Sequence, residues 1–159
     1  MARLTKVRYS FPPDAYAALA VVAAILLLEW LVPLSILPPF ALLSLATLIG
    51  LIIACAGLTL ELAAARALTA ARTTTRPNAD PTALVTTGPF ARSRNPFYLG
   101  IIALLSGIAL IASLDWAIVL VPLFWLALDR LVVPAEEARL AAAFPAVWRA
   151  YAGTTGRWL

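Results

Sequence analysis

The chain is expected to fold as an all-α integral membrane protein. About four transmembrane helices precede an amphipathic helix at the cytoplasmic surface, all in a single membrane domain over residues 1–159. Three observations lead there. Hydrophobic residues make up 63% of the chain and charged residues only 13%, with a mean hydropathy of +0.93, a composition typical of membrane-embedded chains. Four apolar runs approach the roughly 20 residues needed to cross a hydrocarbon core about 30 Å thick. The lysines and arginines gather where those runs would leave the bilayer on one side.

The first span is placed at residues 15–37. It is too long for a cleaved signal peptide, and residues 1–9 are not followed by a small-residue cleavage site. Pro38-Pro39 turns the chain into a second span at 40–60. A connection over 66–96 follows, with Thr73-Thr74-Thr75, Pro77, Asp80-Pro81 and Thr86-Thr87-Gly88-Pro89. Its prolines and glycine break any continuous helix and give a folded loop, which at this size is often functional. Asn95 is a good N-cap and Pro96 suits the first helical position, so a third span is predicted at 97–114 with its amides aimed into the loop. Such an end attracts anionic groups, and Arg92 and Arg94 reinforce it. A turn at Asp115 leads to a fourth span at 116–133. Pro134 then opens an amphipathic helix at 134–152, with Glu136 and Glu137 complementing its dipole and Leu140, Phe144, Val147 and Tyr151 recurring three or four residues apart.

Orientation follows from the charges. Arg3, Lys6 and Arg8 precede the first span, and Arg66, Arg72, Arg76, Arg92 and Arg94 lie between the second and third. Arg130, Arg139, Arg149 and Arg157 stand at or beyond the end of the fourth. With four spans all of them fall on one side, while the connections at Leu37-Pro38-Pro39 and Asp115 carry none. Both termini and the long loop are therefore expected in the cytoplasm, beneath a bacterial-type plasma membrane. Facing an anionic inner leaflet accounts for the formal charge of +4 without a nucleic-acid partner.

Several chemistries are excluded by composition. Without histidine there is no Ser-His-Asp triad, no Cys-His pair and no imidazole metal ligand, and no metal site is expected. Cys55 is the only cysteine and lies inside an apolar run, where it reads as a small packing residue. No GxGxxG or GxxxxGK[ST] occurs, so a nucleotide-like cofactor would have to bind helix ends and loops. Among charges within spans, Glu29 and Glu61 fall near the interfaces. Asp129 and Arg130 lie deeper, roughly 13 residues beyond Trp116 at about 1.5 Å each, and either face a cavity, snorkel or pair with each other. Gly50 and Gly57, or Gly100 and Gly107, suit close helix contacts, within one chain more than between chains; the oligomeric state stays open.

Two segments carry a family resemblance. Leu84-Val85-Thr86-Thr87-Gly88-Pro89-Phe90, continuing through Arg92-Ser93-Arg94-Asn95-Pro96-Phe97-Tyr98-Leu99-Gly100, resembles the L-V-T-x-G-P-Y…R-H-P-x-Y-x-G signature of the isoprenylcysteine carboxyl methyltransferase and phospholipid methyltransferase superfamily. Glu136-Glu137-Ala138-Arg139-Leu140, Phe144-Pro145, Trp148, Tyr151 and Arg157 resemble its second signature, E-E-x-x-L…F-G-x-x-Y-x-x-Y…R. Asn95 replaces the usual histidine, Pro145 the usual glycine and Trp148 the usual tyrosine.

The resemblance implies an enzyme that binds S-adenosylmethionine at the cytoplasmic surface and methylates a lipophilic small-molecule or lipidated acceptor entering from the membrane lipids. It places Gly88, Pro89, Arg94, Asn95, Tyr98, Gly100, Glu136 and Glu137 around the cofactor, and Arg94, Arg130 and Glu137 in the catalytic machinery. By the same resemblance, Arg130 would orient an anionic acceptor. The acceptor group itself, whether carboxylate, amine or thiol, is not legible. A related membrane reductase using NADPH, with Tyr98 as proton donor, is the alternative; a transporter or assembly protein would instead need charges along the whole bilayer path.

Overall fold

The computed structural model describes residues 13–73 and 81–159, and everything in those stretches is helix, turn or loop. Expectations resting on Arg3, Lys6, Arg8, Thr74 and Thr75, Arg76, Pro77 and Asp80 lie outside the described residues. Six helices follow in order: α1 (Pro13–Leu31), α2 (Leu45–Ala70), α3 (Pro96–Ala112), α4 (Ala117–Ala127), α5 (Val133–Ala143) and α6 (Pro145–Thr154). A short 3-10 turn at Gly88–Ala91 precedes α3, and a π-helical turn at Leu128–Val132 joins α4 to α5.

Two helical stretches are long and apolar enough to cross a membrane, α2 and the continuous run Ala117–Ala143. Tyr16–Leu31 and Pro96–Ala112 are apolar but shorter. The first helix stops at Leu31 and not at 37, because Pro33 disfavours helical geometry in the residue before it; Val32 N donates the last bond, to Leu28 O at 2.8 Å. The second starts at Leu45 and not at 40, where Ser44 Oγ accepts from Thr47 N at 3.1 Å as an N-cap. It then runs ten residues past the expected end at 60, since Ala63, Ala64, Ala65 and Ala67 carry helix propensity beyond the apolar run.

α2 and α3 form the tightest contact in the molecule, and glycines make it possible. A Cβ on Gly57 would lie 2.7 Å from Gly100 O, and one on Gly50 would lie 2.8 Å from Gly107 O. The two backbones thus cross antiparallel with no room for side chains. α1, α3 and α4 enclose the apolar core, in which Ile25, Ala109, Ala117 and Val121 pack at one level and Tyr98, Phe124, Leu128 and Val133 at the other. Leu51, Ile52, Leu58, Val119 and Leu123 point outward, as a lipid-facing surface requires.

At the end that holds the loop 32–44, a buried and a half-buried carboxylate bind backbone. Asp115, 4% exposed, accepts from Leu37 N at 2.7 Å and Ile36 N at 3.2 Å. Glu29 Oε1 accepts from Trp116 N at 2.8 Å, so Glu29 serves the start of α4. Trp116 Nε1 returns a bond to Val32 O at 2.9 Å.

At the other end the expected single helix over 134–152 is two helices. Phe144 (φ −133°, ψ 58°) breaks the chain between α5 and α6, and Pro145 restarts it at a first-turn position. A proline has no N–H for the preceding turn and pushes its predecessor out of helical geometry. The π-helical turn sits immediately before Pro134, and there Val133 N reaches back five residues to Leu128 O.

Candidate active site

The described basic residues lie at the end of the bundle where α2 stops, α3 starts and α4 runs into α5. Here the segment 88–95, the first turns of α5 and the tail after α6 converge. Gly88 takes φ +62°, a left-handed conformation that favours glycine, and opens the 3-10 turn. That turn packs against α2, and Tyr151 of α6 fastens it by donating its hydroxyl to Phe90 O at 2.7 Å. Burial pushes the Tyr151 hydroxyl up to about 12, with the Arg94 charge pulling the other way.

Arg94 and Glu137, from the two separate sequence motifs, meet in an ion pair at 2.9 Å between Nη2 and Oε1. Arg94 also donates from Nη1 to Ala152 O at 3.1 Å and Thr155 O at 3.2 Å, and its guanidinium lies 5.7 Å from the centre of the Trp148 ring. Its Nε is buried with no hydrogen-bond partner among the described residues. A buried N–H without an acceptor is uncommon and costly.

Arg157 grips the same carboxylate from the other side. Nη2 lies 2.7 Å from Glu137 Oε2 and Nε lies 3.2 Å from Oε1, a two-pronged contact. Its remaining Nη1 reaches Asp129 Oδ1 at 3.2 Å, and Trp158 Nε1 donates to the same oxygen at 2.9 Å. Hydrogen bonding to Glu137 holds the Arg157 guanidinium above its ordinary pKa. Two guanidiniums thus face two carboxylates, and the charges balance within the cluster.

The remaining candidates divide. Asn95 is buried beside the cluster but does not cap α3; its Nδ2 donates to Arg157 O at 2.9 Å, and Ser93 Oγ takes its backbone N–H at 3.0 Å. The expected cap fails because the tail carbonyl offers the amide an acceptor away from the helix. Tyr98 donates to Glu136 Oε1 at 2.9 Å, joining α3 to α5 one helical position from Glu137. Gly88 and Pro89 shape the bordering turn. Gly100 sits at the crossing with α2, where a Cβ would lie 2.7 Å from Glu61 N, so close packing occupies it. Arg130 points outward with its side chain 73% exposed and pairs with Asp129 at 3.2 Å, outside the Arg94–Glu137–Arg157 contact.

Asp129, Arg157 and Trp158 complete the cluster without having been selected as site residues from the sequence. Asp129 had a signal, a carboxylate within an apolar run; Arg157 had its place in the second signature. Trp158 had none, since a terminal aromatic reads equally well as an interface anchor. On the membrane side, a groove of about 480 Å³ runs between helices past Ile53, Ile102, Leu110, Val121 and Trp125. Ser106 adds its only hydroxyl, already bonded to Ile102 O at 2.8 Å. Trp125 closes the basic-end limit of the groove with its ring centre 5.8 Å from that of Trp158.

No curated protein and no solved structure matches the chain. The family model for phospholipid methyltransferase matches residues 45–146, well over half of the chain, including Arg94, Asp129 and Glu137 but not Arg157 or Trp158. Two membrane-length helices and the ion-paired meeting of two motifs accompany that match, and the chain belongs to the phospholipid methyltransferase family.

Proposed function

We propose that the protein is a membrane methyltransferase that takes its methyl group from S-adenosylmethionine and delivers it to a lipophilic acceptor. Four bilayer crossings, with both termini and the charged cluster on the cytoplasmic side, complete the reading. The observation that carries it is the 2.9 Å contact between Arg94 and Glu137. It brings a loop-borne cation and a helix-borne carboxylate together at a membrane-facing helix end.

The residues suit such a cofactor. Its carboxylate is an acceptor of the kind that the buried Arg94 Nε lacks. Glu136 and Glu137 supply negative charge for its sulfonium. Bound there, with Arg94, Glu136 and Glu137 holding it, the cofactor would supply an electrophilic methyl group to an acceptor carboxylate, amine or thiol. The chain's own residues orient and exclude water. Alignment alone can contribute about 7–11 kcal/mol of barrier reduction, so the absence of histidine is no obstacle. Both oxygens of Glu137 are engaged by guanidiniums, which suits it to holding charge in place more than to accepting a proton. An acceptor carboxylate needs no base; an acceptor amine loses its proton to water or to a group of the substrate.

The apolar groove supports the acceptor half of the reading. Its walls are apolar apart from the bonded Ser106 hydroxyl and the Trp125 indole N–H, and they approach the charged cluster through Trp125 and Trp158. A reductase or a transporter gains no comparable support from the family match.

The test is calorimetric titration of S-adenosylmethionine and S-adenosylhomocysteine, with NADPH as comparison, into detergent-purified protein. Saturable binding of the adenosyl compounds is expected, and transfer of labelled methyl into a membrane lipid extract should follow. Binding of NADPH alone, or of none of the three, overturns the proposal.

A further inference from the structure

Asp129 lies in the π-helical turn at Leu128–Val132, where the helix carries one residue more per turn just ahead of Pro134. Its side chain is 16% exposed while that of its neighbour Arg130 is 73% exposed. The turn thus sets the carboxylate inward and leaves the arginine out.

The carboxylate meets side chains of the tail, while other groups hold the tail backbone. Arg94 N donates to Gly156 O at 2.9 Å, Asn95 Nδ2 to Arg157 O at 2.9 Å and Ser93 Oγ to Arg157 O at 3.3 Å. None of these bonds constrains the Arg157 guanidinium. Asp129 does so by taking Nη1, which leaves Nε and Nη2 to face Glu137. A guanidinium is planar and rigid, so a bond at Nη1 narrows the orientations open to the edge that carries Nε and Nη2. Trp158 steadies the same oxygen from the side of the groove, with its indole N–H on Asp129 and its ring on Trp125.

We propose that Asp129 is a positioning residue, setting the Arg157 guanidinium and thereby aiming the Glu137 carboxylate within the cofactor-binding end. The inference rests on the donor-binding reading above. It joins a residue within the family match to two that lie beyond it, Arg157 and Trp158. Without the Asp129 charge, Arg94 and Arg157 press on a single carboxylate and Arg157 can rotate away while the tail backbone stays docked.

The experiment measures Kd for S-adenosylhomocysteine on the detergent-purified full chain, wild type beside Asp129→Asn, Asp129→Glu and Trp158→Phe. Tryptic cleavage after Arg157 is followed by mass in each protein, and thermal midpoints check that each one folds. Asp129→Asn is expected to weaken binding about tenfold, because the neutral amide oxygen still accepts but gives up the charge that strengthens its bond to Arg157. Asp129→Glu should recover most of the affinity, because the charge is kept. Trp158→Phe should weaken it by about twofold to threefold through loss of one neutral donor. Cleavage after Arg157 should proceed at the wild-type rate in all three variants. Equal affinity in wild type and Asp129→Asn overturns the inference alone, as does rapid cleavage of Asp129→Asn, which would make Asp129 a tail anchor. Absence of binding in wild type overturns the donor reading and this inference together, so the two failures are distinct.

Discussion

The two ends of the helical bundle both hold carboxylates at least partly out of solvent, and they use them differently. At the end holding the loop 32–44, Asp115 and Glu29 accept from the backbone N–H groups of Ile36, Leu37 and Trp116. At the basic end Glu137 and Asp129 accept from the side chains of Arg94, Arg157 and Trp158. A backbone donor cannot leave without unfolding the turn that carries it. A guanidinium rotates on a flexible stem and can exchange one anion for another with the backbone unmoved. The first end is therefore a closure, and the second has partners to trade with a ligand.

Substitutions separate the two roles. The largest effect is expected for Glu137→Ala, which leaves Arg94 without its counter-charge and Arg157 with Asp129 alone; affinity for S-adenosylhomocysteine should fall at least about a hundredfold while the thermal midpoint in detergent changes little. Wild-type affinity in that variant would erase the distinction. Asp115→Ala should do the reverse, costing about 2–3 kcal/mol of stability through two lost bonds to a charged acceptor, with affinity unchanged. Glu29→Gln is expected to cost only about 1 kcal/mol, because the amide oxygen still accepts from Trp116 N. A loss of binding in either of these two would show that the far closure reaches the site.

The smallest effect concerns pH. The Tyr151 hydroxyl is raised from 10.0 to about 12 by burial, so on unfolding it ionises before its folded counterpart does. Its contribution to stability is complete below about pH 10 and is lost as pH climbs towards 12. In thermal midpoints measured across the alkaline range, Tyr151→Phe should decline less steeply than wild type. Parallel declines would mean that the Tyr151 hydroxyl is not buried as the structure has it.

Much of this was legible in the sequence, for identifiable reasons. Hydropathy located four apolar helices because lipid exposure demands continuous apolar runs. It did not locate their ends, which depend on local devices. Pro33 shortened α1, the Ser44 cap delayed α2, and an alanine-rich stretch prolonged α2 beyond its apolar part. Pro145 was visible yet lay within an amphipathic repeat that continued on both sides of the break. Arg94 and Glu137 were found because two spaced motifs named them. The role of Asn95 was missed because its partner is the carbonyl of Arg157, 62 residues away, and local capping rules cannot see a long-range acceptor. Gly100 fitted two patterns at once, the motif and the seven-residue spacing to Gly107, and the crossing with α2 accounts for the second.

The run Ala117–Ala143 is 27 residues of continuous helix, or about 40 Å of rod, against a hydrocarbon core of about 30 Å. Glu136 and Glu137 ride on the part left over, while Arg94 stands on the loop before α3. The rod is thus a lever pivoted in the bilayer. A thicker or thinner membrane changes its tilt and moves Glu137 relative to Arg94 with no change in either side chain. Affinity for S-adenosylhomocysteine in vesicles should accordingly pass through a maximum as acyl-chain length is varied, and a flat response would show that the helix is clamped. In the four-crossing reading the surrounding lipid is then more than a solvent, since its thickness sets the spacing of Arg94 and Glu137.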